Sequence, residues 1–153
     1  MILHSYSDGG ARGTPGPAAI GAVLCDEREN VIDEAARCIG VATNNKAEYE
    51  AMLLALELAK KHKGTRLVCT GDSELIIFQL QGRYRIKDAG LKALAEKVKS
   101  AAGAFQGVTW RQVPREHPMI ARADKLVNQA LDKAKGRAPG GAPRQEPDQG
   151  ELF

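Results

Sequence analysis

The sequence has no Cys-x-x-Cys pair, and its three cysteines, Cys25, Cys38 and Cys69, form an odd set scattered through apolar or strand-like runs. That excludes a disulfide scaffold and leaves reduced, buried thiols as the expectation, as in a cytoplasmic protein. Long hydrophobic runs are also missing. No window approaches the ~18 apolar residues of a membrane span, and the opening "MILHSYSD" is too short and too polar for a signal peptide. Charge of one sign is scarce: 22 Lys and Arg against 19 Asp and Glu leave a formal +3. Such a balance permits a polyanionic partner without demanding one. There is no internal repeat. The glycine-rich stretch "SYSDGGARGTPGPAAIG" (residues 5–21) lacks the Gly-Lys-Ser/Thr ending of a phosphate-cradling loop. It also runs on into the apolar "AAIGAVLC", which reads as a buried strand, whereas a phosphate loop leads into a helix.

What is present suits one domain with a real core: 153 residues, 43% hydrophobic and 27% charged. "MILHSYSD" alternates, so Ile2, His4, Tyr6 and Asp8 share one face. "AAIGAVLCD" and "VIDEAARCIG" are two further strands joined by the polar turn "EREN". "TNNKAEYEAMLLALELAKKHKG" is the clearest helix, with Ala47, Ala51, Leu54, Ala55, Leu58 and Ala59 at helical spacing and Gly64 as its stop. "TRLVCTGD" reads as a strand, "SELIIFQLQG" and "DAGLKALAEKVKSAAG" as helices, "GVTWRQVP" as the last strand and "ARADKLVNQALDKAKG" as the last helix. The order βββαβααβα predicts a mixed sheet with helices packed on it. Residues 1–135 form the expected domain. From Gly136 on, "GRAPGGAPRQEPDQGELF" is rich in Gly, Pro and charge and reads as a disordered tail.

Four carboxylates stand out jointly. Taken singly, Asp8 is a turn residue after a strand, Asp72 a helix N-cap, and Glu48 and Asp124 first-turn acids that suit a helix dipole. Asn45-x-x-Glu48 also fits a capping box. Yet Glu48 lines up with Met52, Ala55 and Ala59, and Asp124 with Val127 and Leu131, so both lean toward the core. If the first and fourth strands are parallel neighbours, Asp8 and Asp72 meet at one sheet edge, where α/β sheets bind ligands. Four carboxylates so close repel one another unless cations fill the gap. Oxygen-only ligands select hard cations, Mg²⁺ or Mn²⁺. A pair of such ions is the apparatus of in-line phosphodiester chemistry.

With these residues in hand, the chain resembles the type 1 ribonucleases H, in the compact form without the basic protrusion. "SDGGARGTPGPAAIG", "ATNNKAEYEAMLLAL", "GDSELIIFQL", "RYRIKDAGL" and "ARADKLVNQAL" come in the family's order and at near-family spacing. The resemblance implies an α/β fold, a five-stranded sheet of order 3-2-1-4-5 with the first three strands antiparallel. It implies hydrolysis of the RNA strand of an RNA–DNA hybrid by two metal ions, leaving 5′-phosphate and 3′-hydroxyl ends. Asp8, Glu48, Asp72 and Asp124 would be the metal ligands, with two Mg²⁺ per site and Mn²⁺ as a substitute. Gly9, Gly10, Arg12 and Gly13 would face the hybrid, Thr43 a DNA-strand phosphate, and Asn44 and Asn45 the 2′-OH groups and base edges of the minor groove. Plain N-capping by the two asparagines is the other reading, and both roles can hold together.

The family's mobile histidine corresponds to His117 in "PREHPMIARAD", and a solvated loop histidine is an equal reading. Arg83 and Arg85, with Tyr84 and Lys87, would grip the DNA strand or form a solvated basic loop. Trp110 is expected in the core. A monomer in the cytoplasm, with no membrane partner, is expected. The ending "DQGELF" resembles the short peptide by which bacterial replication and repair proteins dock on the sliding clamp, through Gln149, Leu152 and Phe153. The alternatives from other classes are a same-fold nuclease for double-stranded RNA and a non-catalytic hybrid-binding module.

Overall fold

The computed structural model describes residues 1–137. Its elements run in chain order as β1 (Ile2–Ala11), β2 (Gly16–Cys25), β3 (Val31–Ala42), α1 (Asn44–Lys61), β4 (Arg66–Gly71), α2 (Glu74–Leu80), α3 (Ala89–Ala102), β5 (Gly107–Gln112) and α4 (Pro118–Arg137). The sheet order is β3-β2-β1-β4-β5. The first three strands pair antiparallel, while β1 pairs parallel with β4 and β4 with β5. The element order is the one read from the sequence, and the strand order is the one that the family resemblance implies.

The continuous apolar run of β2 has a simple cause: the strand is covered on both faces. Ala18, Ile20, Ala22 and Leu24 join the core with α1 residues such as Ala51, Leu54 and Ala55, and with Ala95 and Val98 of α3. Val23 and Cys25 face the other way, with Tyr6 of β1 and Ile120 and Ala123 of α4. Ala19 meets Val127 and Leu131 of α4 on that same side. Cys25 and Cys69 are buried and Cys38 is half-buried. Trp110 packs partly buried against the larger core, at its margin and not inside it.

Four local expectations change. β1 does not end at Asp8: Asp8, Gly9, Gly10 and Ala11 all pair with β2, opposite Gly21, Ile20, Ala19 and Ala18. The antiparallel ladder thus continues through both glycines, and the turn proper is residues 12–15. The cap of α1 is Thr43, whose side chain accepts from Lys46 N–H, so Glu48 falls in the second turn and Asn45 caps nothing. Ser73, not Asp72, caps α2 by accepting from Ile76 N–H. The last helix begins at Pro118, a favoured first helical residue, which moves Asp124 to the second turn.

Candidate active site

The parallel register of β1 and β4 runs from Ile2↔Arg66 to Tyr6↔Thr70. Two residues further along each strand stand Asp8 and Asp72, side by side where β4 ends at Gly71. Glu48 reaches the same place from the helix above. Gly9 makes this approach feasible, because a Cβ there would lie 2.3 Å from the carbonyl oxygen of Ala47 and 2.8 Å from the nitrogen of Glu48. With only hydrogen at that position, α1 closes on β1 and Gly9 N–H donates to Glu48 Oε1 at 2.9 Å. Carboxylate oxygens of Asp8, Glu48 and Asp72 lie within 4.8 Å of one another.

Asp124 enters from α4. A Cβ on Gly21 would lie 2.8 Å from the carbonyl oxygen of Ala123, so a second bare strand position lets α4 settle on β2. The two helices and the sheet end enclose an open cleft of about 400 Å³. Asp8, Glu48, Asp72, Asp124, Gly9, Gly10, Arg12 and Asn44 of the expected site line it. Asn44 is fixed there by Ala11 N–H, which donates to its Oδ1 at 2.8 Å.

The electrostatics are those of like charges crowded at a partly dry sheet end. Burial first, then the charges of Asp72 and Asp124 and a hydrogen bond with Asp124, push Asp8 up to about 8, against the opposing pull of Arg115. Burial, then Asp8 and Asp72, hold Glu48 well above the usual carboxylate range, although the Gly9 N–H favours its charged form. Asp72 is also raised, mainly by burial. Its Oδ1 is buried with no hydrogen-bond partner. An unpartnered buried acceptor beside two other carboxylates is a donor set that fits a hard divalent cation, since every available ligand atom is oxygen.

Other expected residues stand elsewhere. His117 is held outside the cleft: its ring stacks on Tyr6 with centroids 5.2 Å apart, and Nδ1 accepts from Met119 N–H at 3.2 Å. Gly13 lies in the β1–β2 turn with φ +128°, and Thr43 and Asn45 flank the start of α1 without lining the cleft. In the segment after α2, Arg83 lies 4.0 Å over the Phe78 ring and Tyr84 meets the same ring edge-on, while Arg85 accepts at its carbonyl from Gln79. Tyr84 is exposed. The three clamp-tail positions, Gln149, Leu152 and Phe153, lie outside the described residues. Sequence reasoning missed Arg115 and Asn128, both on the cleft wall. Asn128 was detectable, one helical turn after Asp124; Arg115 carries no local signal beyond its charge.

Comparison with known proteins agrees with this architecture. The family model described as Reverse transcriptase-like matches residues 6–130. Ribonuclease HI of Halobacterium salinarum is 39% identical over 132 residues, covering 86% of this chain and 65% of that protein. Ribonuclease HI of Caulobacter vibrioides is 32% identical over 146 residues, covering 86% and 94%. The crystal structure of LC11-RNase H1 in complex with an RNA/DNA hybrid superposes with a TM-score of 0.82 at 41% identity, covering 87% of this chain and 99% of that one. The chain spans less than two thirds of the length of the first curated relatives it matches.

Proposed function

The chain belongs to the type 1 ribonuclease H family, and from that premise we propose that it is an endoribonuclease that cuts the RNA strand of RNA–DNA hybrids, leaving 5′-phosphate and 3′-hydroxyl ends. The observation that carries the reading is the meeting of Asp8, Glu48 and Asp72 within 4.8 Å at the floor of an open cleft. A binding module would have no use for a cluster whose burial and mutual repulsion raise three carboxylates at once. The solved structure of LC11-RNase H1 in complex with an RNA/DNA hybrid supports the substrate class.

Asp8, Glu48, Asp72 and Asp124 would hold two divalent ions, Mg²⁺ with Mn²⁺ as substitute, which supply an activated water and charge stabilisation at the scissile phosphate when bound. The remaining work falls to the chain's own groups. Gly9 N–H fixes the Glu48 carboxylate. Asn44 uses its oxygen on Ala11 N–H and so turns its NH₂ toward acceptors in the cleft, such as a ribose 2′-oxygen. Asn45 and the backbone of Gly9, Gly10 and Gly13 extend that track, and the Thr43 hydroxyl retains a proton for a DNA-strand phosphate. Arg83 and Arg85, beside the exposed Tyr84, offer a second contact to the DNA strand. Arg115, whose charge opposes those of Asp8 and Asp72, suits a phosphate oxygen near the reacting bond.

The test is cleavage of an end-labelled hybrid with Mg²⁺, in parallel with single-stranded RNA, duplex RNA and duplex DNA. Cutting confined to the RNA of the hybrid is expected. Preferential cutting of duplex RNA would move the chain to the alternative nuclease, and binding without cutting would make it a hybrid-binding module. A separate proposal concerns Gln149, Leu152 and Phe153, as a peptide that docks on a sliding clamp by burying two apolar side chains. A labelled peptide of residues 141–153 should bind the clamp saturably, and the same peptide with Leu152→Ala and Phe153→Ala should not; equal binding by both would remove the proposal.

A further inference from the structure

Arg12, the basic residue of the glycine-rich turn, lines the cleft with its charge already engaged by α4. Its guanidinium donates to Asn128 Oδ1 at 3.1 Å and pairs with Asp132 at 2.8 Å. Asn128 in turn donates from Nδ2 to Asp124 Oδ2 at 3.3 Å and to the Asp124 carbonyl at 3.1 Å. Asp124, Asn128 and Asp132 follow one another at four-residue spacing, so they form one ridge of α4, and Arg12 grips it from the sheet side.

We infer that Arg12 and Asn128 form a positioning relay that fixes the carboxylate of Asp124 on the cleft wall. The inference rests on the functional reading above, in which Asp124 is a metal ligand, and adds to it how that ligand is held. The chemistry leaves little freedom. A guanidinium has only donors, so the Asn128 amide must turn its oxygen toward Arg12, and its NH₂ then faces Asp124. Without Arg12 the amide can flip and bring its oxygen against the carboxylate, which repels. Asp124 lies outside the trio that Gly9 N–H and the sheet end draw together, and besides its hydrogen bond with Asp8 it is Asn128 that holds it from α4. Asn128 and Arg12 are both exposed, so neither is required for the core. The relay also gives Arg12 a task other than gripping the hybrid. Both are positioning residues, acting on the reaction through Asp124.

The experiment compares wild type, Asn128→Ala, Arg12→Ala and the double variant. Mn²⁺ binding is measured by calorimetry without nucleic acid, and kcat and KM on a labelled hybrid are measured alongside. Loss of a residue that orients a metal ligand weakens metal affinity about tenfold or more. Asn128→Ala should show that loss and a comparable fall in kcat, with KM for the hybrid changed less than about twofold. Arg12→Ala should shift the Mn²⁺ isotherm in the same direction, and the double variant should be no worse than Asn128→Ala alone, because both act on one carboxylate. An unshifted isotherm for Asn128→Ala overturns the relay. So does a rise in KM on removing Arg12 that is equal with and without Asn128, which would make Arg12 a direct contact to nucleic acid. If the wild type binds Mn²⁺ but leaves the hybrid uncut, the functional reading fails, and the isotherms still decide the relay.

Discussion

At the scale of single residues the site stores electrostatic stress. Asp8, raised to about 8, is the largest example with a value. A carboxyl whose folded pKa lies above its unfolded value of about 3.9 stabilises the fold fully below that value, and the contribution is lost as pH rises through the folded pKa. The metal-free protein should therefore lose unfolding free energy between about pH 4 and pH 8, measured by denaturant melts in chelator. Asp8→Asn should flatten that slope and be more stable than wild type at pH 8; a variant that is no more stable would contradict the crowding argument. The same change should lower hybrid cleavage by about a thousandfold or more, as loss of several kcal/mol of transition-state charge stabilisation implies, while hybrid binding persists. His117 is a second residue-scale question. Stacked on Tyr6 and bonded to Met119 N–H, it must leave that seat to reach the cleft. If it moves a proton or speeds product release, His117→Ala should lower kcat about fivefold with KM nearly unchanged. Unchanged kcat with a lower melting temperature would leave it as a helix-end bond only.

At the scale of elements, the fit of helix on strand decides the site. α1 and α4 each lie on a strand position that has no side chain, Gly9 and Gly21 respectively. These contacts position Glu48 and Asp124, so packing and chemistry share the same residues. Gly9→Ala places a methyl against backbone, which cannot yield as a flexible side chain would. Overpacking of this kind costs about 1–3 kcal/mol. The expectation is a matching loss in a urea melt together with a larger fall in kcat than the lost stability explains, because lifting α1 carries Glu48 away from Asp8. Full activity at a temperature where the variant is folded would show that the cleft tolerates displacement of α1.

For the whole molecule, the consequence of the layered fold is an open cleft at one end of the sheet, where the proposed hybrid would lie. Helices cover both faces of β2, and the carboxylates gather at one end of the sheet where β1 outruns β4. Asn44 and Arg12 of the β1–β2 turn line the same cleft as the carboxylates, so in the proposed reading recognition would extend over more than the reacting nucleotide. Cleavage should accordingly require several consecutive ribonucleotides, since a 2′-OH track is what separates RNA from DNA there. Substrates carrying one to six ribonucleotides in duplex DNA test this, and efficient cutting beside a single one would contradict it.

The order and type of the elements were legible in the bare chain, because each carries its own periodicity: alternation in "MILHSYSD", helical spacing in "AEYEAMLLALELA", and an apolar run in "AAIGAVLC" long enough for a strand buried on both faces. The bare chain also singled out Asp8, Glu48, Asp72 and Asp124, because the inward ridges of Glu48 and Asp124 are local patterns; Met52, Ala55, Ala59, Val127 and Leu131 are indeed buried. Element ends were less legible. Thr43 and Ser73 take the cap positions through local hydrogen bonds for which Asn45 and Asp72 are rival residue types in the bare chain, and Pro118 opens α4 three residues ahead of Ala121. What the glycines do depends on contacts that exist after folding. Gly9 and Gly21 are needed because backbones 38 and 102 residues away come into contact with them, at Ala47 and Ala123. The same holds for Arg12, whose partners Asn128 and Asp132 lie at the far end of the chain and become neighbours only when α4 folds back across β2.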